Sequence, residues 1–239
     1  MTPEQFCGKV TTHLTDIMVG QKAFPMHPIV KDDVLALRQA ALDAGFNFHI
    51  ASGFRSFERQ TLIWNKKMRG DTPVLDRDSR PISMEALSIE EKIDAICFWS
   101  AIPGTSRHHW GGEFDVYDRD RLPNNGVLTL EPDVYLTGSQ APFFRWLKKN
   151  LSHYGFFLPY DKDRGGVSIE PWHISHRALS EITHPIFTLD QLKSQLEKPD
   201  ANNILGIETI LSHIDRLYHQ YVINVSIPPS IIHNTENLS

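Results

Sequence analysis

Residues 103–118, PGTSRHHWGGEFDVYD, constrain this chain more than any other stretch. Gly111 and Gly112 mark a turn, and the alternation that follows predicts a strand over Glu113–Tyr117. Successive strand side chains point to opposite faces, so Phe114 and Val116 enter a core while Glu113, Asp115 and Tyr117 share the other side. A sheet with one apolar face needs helices or a second sheet to cover it. The rest of the chain supplies helices.

A helix is expected over Asp32–Ala44, with Asp32 as N-cap, Val34, Leu37 and Ala41 on one face, and Gly45 as stop. Phe46, Phe48 and Ile50 then alternate as a strand that ends at Ser52-Gly53. A second helix runs from Ser56 through Trp64 to about Arg69, before Gly70. Residues 71–87 are polar and aperiodic, a long loop. Ser88 and Glu91 form a capping box for a helix reaching about Ser100. Another helix spans roughly Ala141–Ser152, with Phe144, Leu147 and Leu151 on one side and Gly155 after it. Val167 and Ile169 mark a short strand. Thr188 and Gln191 cap a helix, and an apolar stripe follows through Ile207, Ile210, Leu211, Ile214, Leu217, Tyr218 and Tyr221. That stripe fits a helix packed on the domain or a dimer contact. The tail from Asn224, with Pro228-Pro229, reads as irregular. The expected fold is therefore α+β, a small, mainly antiparallel sheet with surrounding helices. Residues 1–185 form the main domain and residues 186–239 a C-terminal helical extension packed on it.

With 239 residues, the chain can bury about 70–75% of its unfolded surface and needs neither disulfide nor metal to fold. A metal, if bound, therefore serves function. The formal net charge of −5 excludes a general nucleic-acid binder, which needs a basic face. Cys7 and Cys97 are too few for a disulfide framework or a thiolate zinc site and read as buried thiols. The first twenty residues lack the apolar core of a signal peptide, and no apolar run approaches the roughly 20 residues that span a bilayer. The expectation is a soluble, cytoplasmic protein.

Three segments carry chemistry. In the first, His108 and Asp115 flank the glycine turn, which can fold both side chains toward one ion; catalytic zinc takes three His or carboxylate ligands and keeps one open position. His109 is a rival ligand on spacing alone. In the second, VSIEPWHISH (167–176), Glu170 and His173 lie three apart and would face opposite ways on an unbroken strand. Pro171 must break the regularity for both to serve one site. In the third, SGFRSFERQ (52–60), Arg55 follows a glycine turn and can clamp a carboxylate, or pair with Glu58 at the surface. Each segment alone also fits an ordinary polar contact.

Together they resemble the VanY-type zinc D-alanyl-D-alanine carboxypeptidases, which share their fold with the hedgehog signalling domain. The family pattern, Ser-x-His-x6-Asp followed by Glu-x-x-His with an upstream Ser-Gly-aromatic-Arg-Ser, falls on Ser106, His108 and Asp115, on Glu170 and His173, and on Ser52–Ser56. The match spans roughly residues 30–180. The resemblance implies one Zn2+ held by His108, Asp115 and His173, with Glu170 as general base. It implies that Arg55 stabilises the substrate carbonyl or oxyanion, and that Gln60 and Ser106 line the substrate site. Zinc so held lowers the pKa of water toward about 7, and a nearby carboxylate can take its proton and pass it to the leaving amine.

Two positions depart from the pattern. Glu113 stands where the family usually has a small residue; it can hydrogen-bond an imidazole or face solvent. His176 reads as a surface histidine or an extra pocket residue. The substrate expected is a peptidoglycan-type stem peptide, most simply a D-Ala-D-Ala terminus. An endolysin-like endopeptidase and a non-catalytic zinc module binding muropeptides or a protein are the alternatives.

Overall fold

Capping decides where most helices begin and end. The structure, a computed structural model, describes residues 1–123 and 126–226. Its helices are α1 (Pro3–Phe6), α2 (Lys31–Asp43), α3 (Phe57–Arg69), α4 (Ile89–Cys97), α5 (Pro132–Leu136), α6 (Ala141–Asn150), α7 (Arg177–Thr183), α8 (Leu189–Leu196), α9 (Ile207–Ser212) and α10 (Ile214–Leu217). Ser56 caps α3 through the Arg59 amide, and Gly70 ends it in the left-handed region at φ 79°. The capping boxes at Ser88/Glu91 and Thr188/Gln191 both form. Each such cap stabilises its helix by about 1 kcal/mol.

Elsewhere the expected boundaries shift. Asp32 does not cap α2; a 3-10 turn over Pro28–Val30 feeds the helix, and Asp32 and Asp33 occupy its first turn. There they complement the positive end of the helix dipole. In α6 the buried face is Ala141, Phe143 and Leu147 rather than Phe144, with the Phe143 ring against Phe46 and Phe48. The long loop 71–87 holds an isolated bridge, Leu75 with Pro81, and a 3-10 turn at Met84–Ala86. Val167 and Ile169 form no ladder. The apolar stripe of 207–221 is broken at His213 into α9 and α10 and continues as a π-helical turn, Tyr218–Val222. Its members Ile210, Ile214, Leu217 and Tyr218 are buried in the chain's own core. Residues 224–226 form neither helix nor strand, while Pro228-Pro229 lie outside the described residues.

Two antiparallel sheets complete an α+β architecture. Strands β1 (Thr15–Val19) and β2 (Lys22–Met26) pair as a hairpin. Strands β3 (Phe48–Ser52), β4 (Glu113–Asp118), β5 (Phe156–Phe157) and β6 (His173–His176) form a second sheet in the order β3-β4-β6-β5. β4 alternates as expected: Phe114 and Val116 are fully buried in the apolar core with Ile174 of β6. On its other face Asp115 stands opposite Ser52 of β3 and His173 of β6, and Glu113 opposite Ser175.

The turn before β4 needs its glycines. A Cβ on Gly111, at φ +76°, would lie 2.3 Å from Leu14 Cδ2, and one on Gly112 would lie 2.5 Å from Leu179 Cδ2. Their carbonyls accept the His27 and His176 amides at 2.9 Å each. Among the described residues no helix is long and apolar enough to cross a membrane, and Cys7 and Cys97 are free and buried.

Candidate metal centre and active site

His108, Asp115 and His173 converge from different elements. His108 sits in a 3-10 turn, Arg107–Trp110; Asp115 lies in the middle of the sheet; His173 opens β6. A turn solves the spacing problem of the last segment. The His173 amide donates to the Glu170 carbonyl at 3.1 Å across Pro171-Trp172, so Glu170 and His173 reach the same space.

The hydrogen bonds fix which ring nitrogen faces inward. His108 Nδ1 lies 2.8 Å from the Gly53 carbonyl, and His173 Nε2 lies 2.9 Å from Glu113 Oε2. Carbonyls and carboxylates only accept, so these nitrogens carry the hydrogens. The nitrogens left to meet a cation are then His108 Nε2, 3.5 Å from Asp115 Oδ2, and His173 Nδ1, 3.3 Å from Asp115 Oδ1 and 3.4 Å from Glu170 Oε2. One donor atom from each of His108, Asp115 and His173 lies within 4.8 Å of the others, all buried.

Ring nitrogens facing carboxylates in a buried space call for a cation, a proton or a metal ion. Burial favours neutral His173, but the carboxylates of Asp115, Glu113 and Glu170 around it outweigh that and hold its pKa well above the ordinary value. Burial disfavours the Asp115 carboxylate, yet His108 and His173 pull its pKa far below the usual range. Burial keeps His108 neutral, with its pKa lowered. Asp115 Oδ1 is buried without a hydrogen-bond partner. Two imidazoles and one carboxylate with a spare oxygen suit a zinc ion, which binds N and O donors.

The four residues line a cavity of about 310 Å³, with Arg55, Ser106, Lys67, Tyr160 and Trp172 also in its wall. Arg55 turns inward: Nη1 donates to Gln60 Oε1 at 2.9 Å, Nη2 to Ser52 Oγ at 3.1 Å, and Asp115 Oδ2 lies 4.0 Å away.

The sequence matches the family described as VanY, D-alanyl-D-alanine carboxypeptidase, over residues 24–179. This chain belongs to the VanY family. It is a peptidase of that carboxypeptidase class. An uncharacterized protein of Haemophilus influenzae is 35% identical over 127 residues, covering 51% of this chain and 93% of the relative. A D-alanyl-D-alanine carboxypeptidase of Enterococcus faecalis is 28% identical over 189 residues, covering 77% of this chain; the match spans 53% of that protein. A solved structure of a vancomycin-resistance D,D-pentapeptidase VanY variant in complex with Zn(II) is 22% identical, covering 77% of this chain and 92% of that one, with a TM-score of 0.49.

Within this VanY chain, four residues take places that sequence left open or misread. His109, the rival ligand, is fully buried, and both its ring nitrogens are engaged elsewhere: Nδ1 donates to the Arg55 carbonyl at 2.6 Å, and Nε2 accepts from the Gly104 amide at 3.2 Å. His176 is neither surface nor pocket; it caps α7 through Nδ1 and holds Asp33 Oδ2 at 2.8 Å through Nε2. Gln60 is buried behind Arg55, donating to the Ala101 carbonyl at 2.6 Å, and does not itself line the cavity. Glu113 faces the site, not solvent.

Sequence reasoning missed Tyr160, Lys67 and Tyr221 in the cavity wall. Tyr160 sets its ring edge-on to His173 at 5.1 Å, and its carbonyl receives the Glu170 amide. These contacts come from a loop and from residues beyond the matched segments, where no spacing rule announces them.

Proposed function

We propose that the chain is a zinc-dependent D-alanyl-D-alanine carboxypeptidase that removes the terminal residue of peptidoglycan-type stem peptides. The observation that carries this reading is the placement of the Glu170 carboxylate 3.4 Å from His173 Nδ1, in one cavity with the three converging donors. Family membership and the name of the Enterococcus relative support the substrate class.

His108, Asp115 and His173 would hold the ion. When bound there, zinc supplies Lewis acidity toward the scissile carbonyl and acidifies water. Glu170 takes a proton from the attacking water and delivers it to the leaving amine as the C–N bond breaks. Arg55, oriented by Gln60 and Ser52, places positive charge beside the position where the tetrahedral oxyanion forms. Ser106 lines the same cavity.

Exopeptidase action also needs a cation for the substrate's free carboxylate. Lys67 lines the cavity and serves this role; burial draws its pKa down to about 8, with Glu170 opposing and Arg55 reinforcing that shift. It still carries its charge near neutral pH. Residues 1–185 act as the peptidase domain in this reading, and the extension after 186 closes part of the cavity through Tyr221.

Incubating the zinc-loaded protein with a stem pentapeptide and with cross-linked peptidoglycan, then weighing the products, tests the proposal. Tetrapeptide plus free alanine is the expected outcome. An intact pentapeptide beside cut cross-links would make the protein an endopeptidase, and no turnover at full zinc occupancy would make it a binding module.

A further inference from the structure

Glu113 and Arg107 form a buried ion pair that the proposed chemistry does not itself use. Arg107 Nη2 lies 2.9 Å from Glu113 Oε1 and donates to Ser175 Oγ at 2.8 Å and Ser180 Oγ at 3.0 Å. Ser175 Oγ donates to Glu113 Oε1 at 2.7 Å. The guanidinium also stacks 4.5 Å from the Trp110 ring. Both charged side chains are at most 3% exposed.

We infer that Glu113 is the positioning residue that fixes His173 as a metal donor, with Arg107 as its counter-charge; this rests on reading His108, Asp115 and His173 as the metal site. Glu113 lies two residues before Asp115 on the same face of β4, and β4–β6 pairing places Ser175 opposite it. From there Oε2 holds the His173 Nε2 hydrogen at 2.9 Å. That contact leaves Nδ1 as the ring nitrogen for the metal and turns it toward Asp115 and Glu170. The two histidines are thereby unequal, since His108 leans on a neutral carbonyl and His173 on a carboxylate. A carboxylate behind an imidazole orients the ring and raises its donor strength.

A purely stabilising role fits the network poorly. Buried ion pairs are often matched or bettered in stability by apolar packing. Arg107 Nε and Nη1 are buried without hydrogen-bond partners, so the guanidinium is only partly satisfied. What the pair delivers, and apolar packing cannot, is an ionised acceptor at His173 Nε2.

The test compares apo and zinc forms of wild type, Glu113→Gln and Glu113→Ala. Zinc affinity is measured by chelator competition, the His173 ring nitrogen that carries the hydrogen by 15N NMR of the zinc form, and site geometry by the Co(II) absorption spectrum. Glu113→Ala should weaken zinc binding by about 10- to 100-fold, with Glu113→Gln in between, because an amide oxygen still accepts from Nε2. The His173 15N shifts should move from the Nε2–H form toward a mixture. Glu113→Ala strands the Arg107 charge, so the pair Arg107→Met/Glu113→Ala provides a variant with both charges gone; it should bind zinc as weakly as the single variant. Wild-type zinc affinity and an unshifted His173 tautomer in that folded pair would overturn the inference. A wild type that cuts stem peptides while the variants keep full affinity defeats this inference alone; a wild type that takes up no zinc defeats the metal reading and this inference together.

Discussion

The two faces of β4 are equally buried and chemically opposite. Phe114 and Val116 on one side have no exposed surface, and Glu113 and Asp115 on the other have 2% and 4%. Apolar burial stabilises the first face at roughly 25 cal/mol per Å². The second face pays desolvation for every carboxylate it hides, and recovers it through His108, His173, Arg107 and the Ser175 hydroxyl. Burial by itself therefore separates neither face by role. What separates them is whether the buried atoms complete each other: the apolar face is finished, while the polar face keeps an unpartnered Asp115 oxygen.

The largest effects should come from the polar face. His108→Ala and His173→Ala should each lose zinc, measured by metal analysis after dialysis; full occupancy in His108→Ala would break the assigned donor set. Glu170→Ala should keep zinc and lower turnover by about 100- to 10,000-fold. Activity retained in that variant would remove the general base. On the apolar face, Phe114→Ala should cost about 3–5 kcal/mol in denaturant unfolding and leave zinc affinity of the folded fraction unchanged. A large loss of affinity there would mean that the two faces are not separable.

Smaller effects sharpen the boundary of the site. Lys67→Met should raise KM for a peptide with a free terminal carboxylate by about 10-fold, the weight of one charge-assisted contact of about 1.4 kcal/mol. The same peptide amidated at its terminus should show no such difference, and an equal effect on both would dismiss the carboxylate contact. The smallest concerns Glu4, whose hydrogen bond from Lys198 ties the N-terminus to the extension and lowers its pKa to about 2. A depressed carboxylate contributes stability above its unfolded value, near 4.5, and loses it as pH falls toward 2. Glu4→Gln should thus be less stable than wild type at pH 6, by under about 1 kcal/mol for so exposed a pair, and nearly equal to it at pH 2.

Local signals were legible wherever chemistry and neighbours in sequence coincide. Ser56, Gly70 and Ser88 act as sequence suggested because caps are satisfied within a few residues. The alternation of β4 and the ordered motif of His108, Asp115, Glu170 and His173 were equally readable. Sequence could not say that His109 spends both nitrogens on the Arg55 and Gly104 backbone, since those partners are placed by long-range packing. Nor could it choose Phe143 over Phe144, which depends on Phe46 and Phe48 arriving from β3 and the loop before it. The run at Val167 has the composition of a strand but makes single backbone contacts, from Ser168 to the Phe98 carbonyl and from Glu170 to the Tyr160 carbonyl, rather than a ladder.

The cross-strand pair Asp115–His173 has a consequence for how errors are rejected. Moving β6 by a single residue against β4 would set Phe114 opposite His173 and Ile174 opposite Glu113. A one-residue slip exchanges the two faces of a strand. The misaligned sheet would lose its apolar contacts and its donor set in the same step. The hydrophobic core thus serves as a proofreader of the metal site, and a chain that has buried Phe114 and Ile174 together has already set Asp115 beside His173.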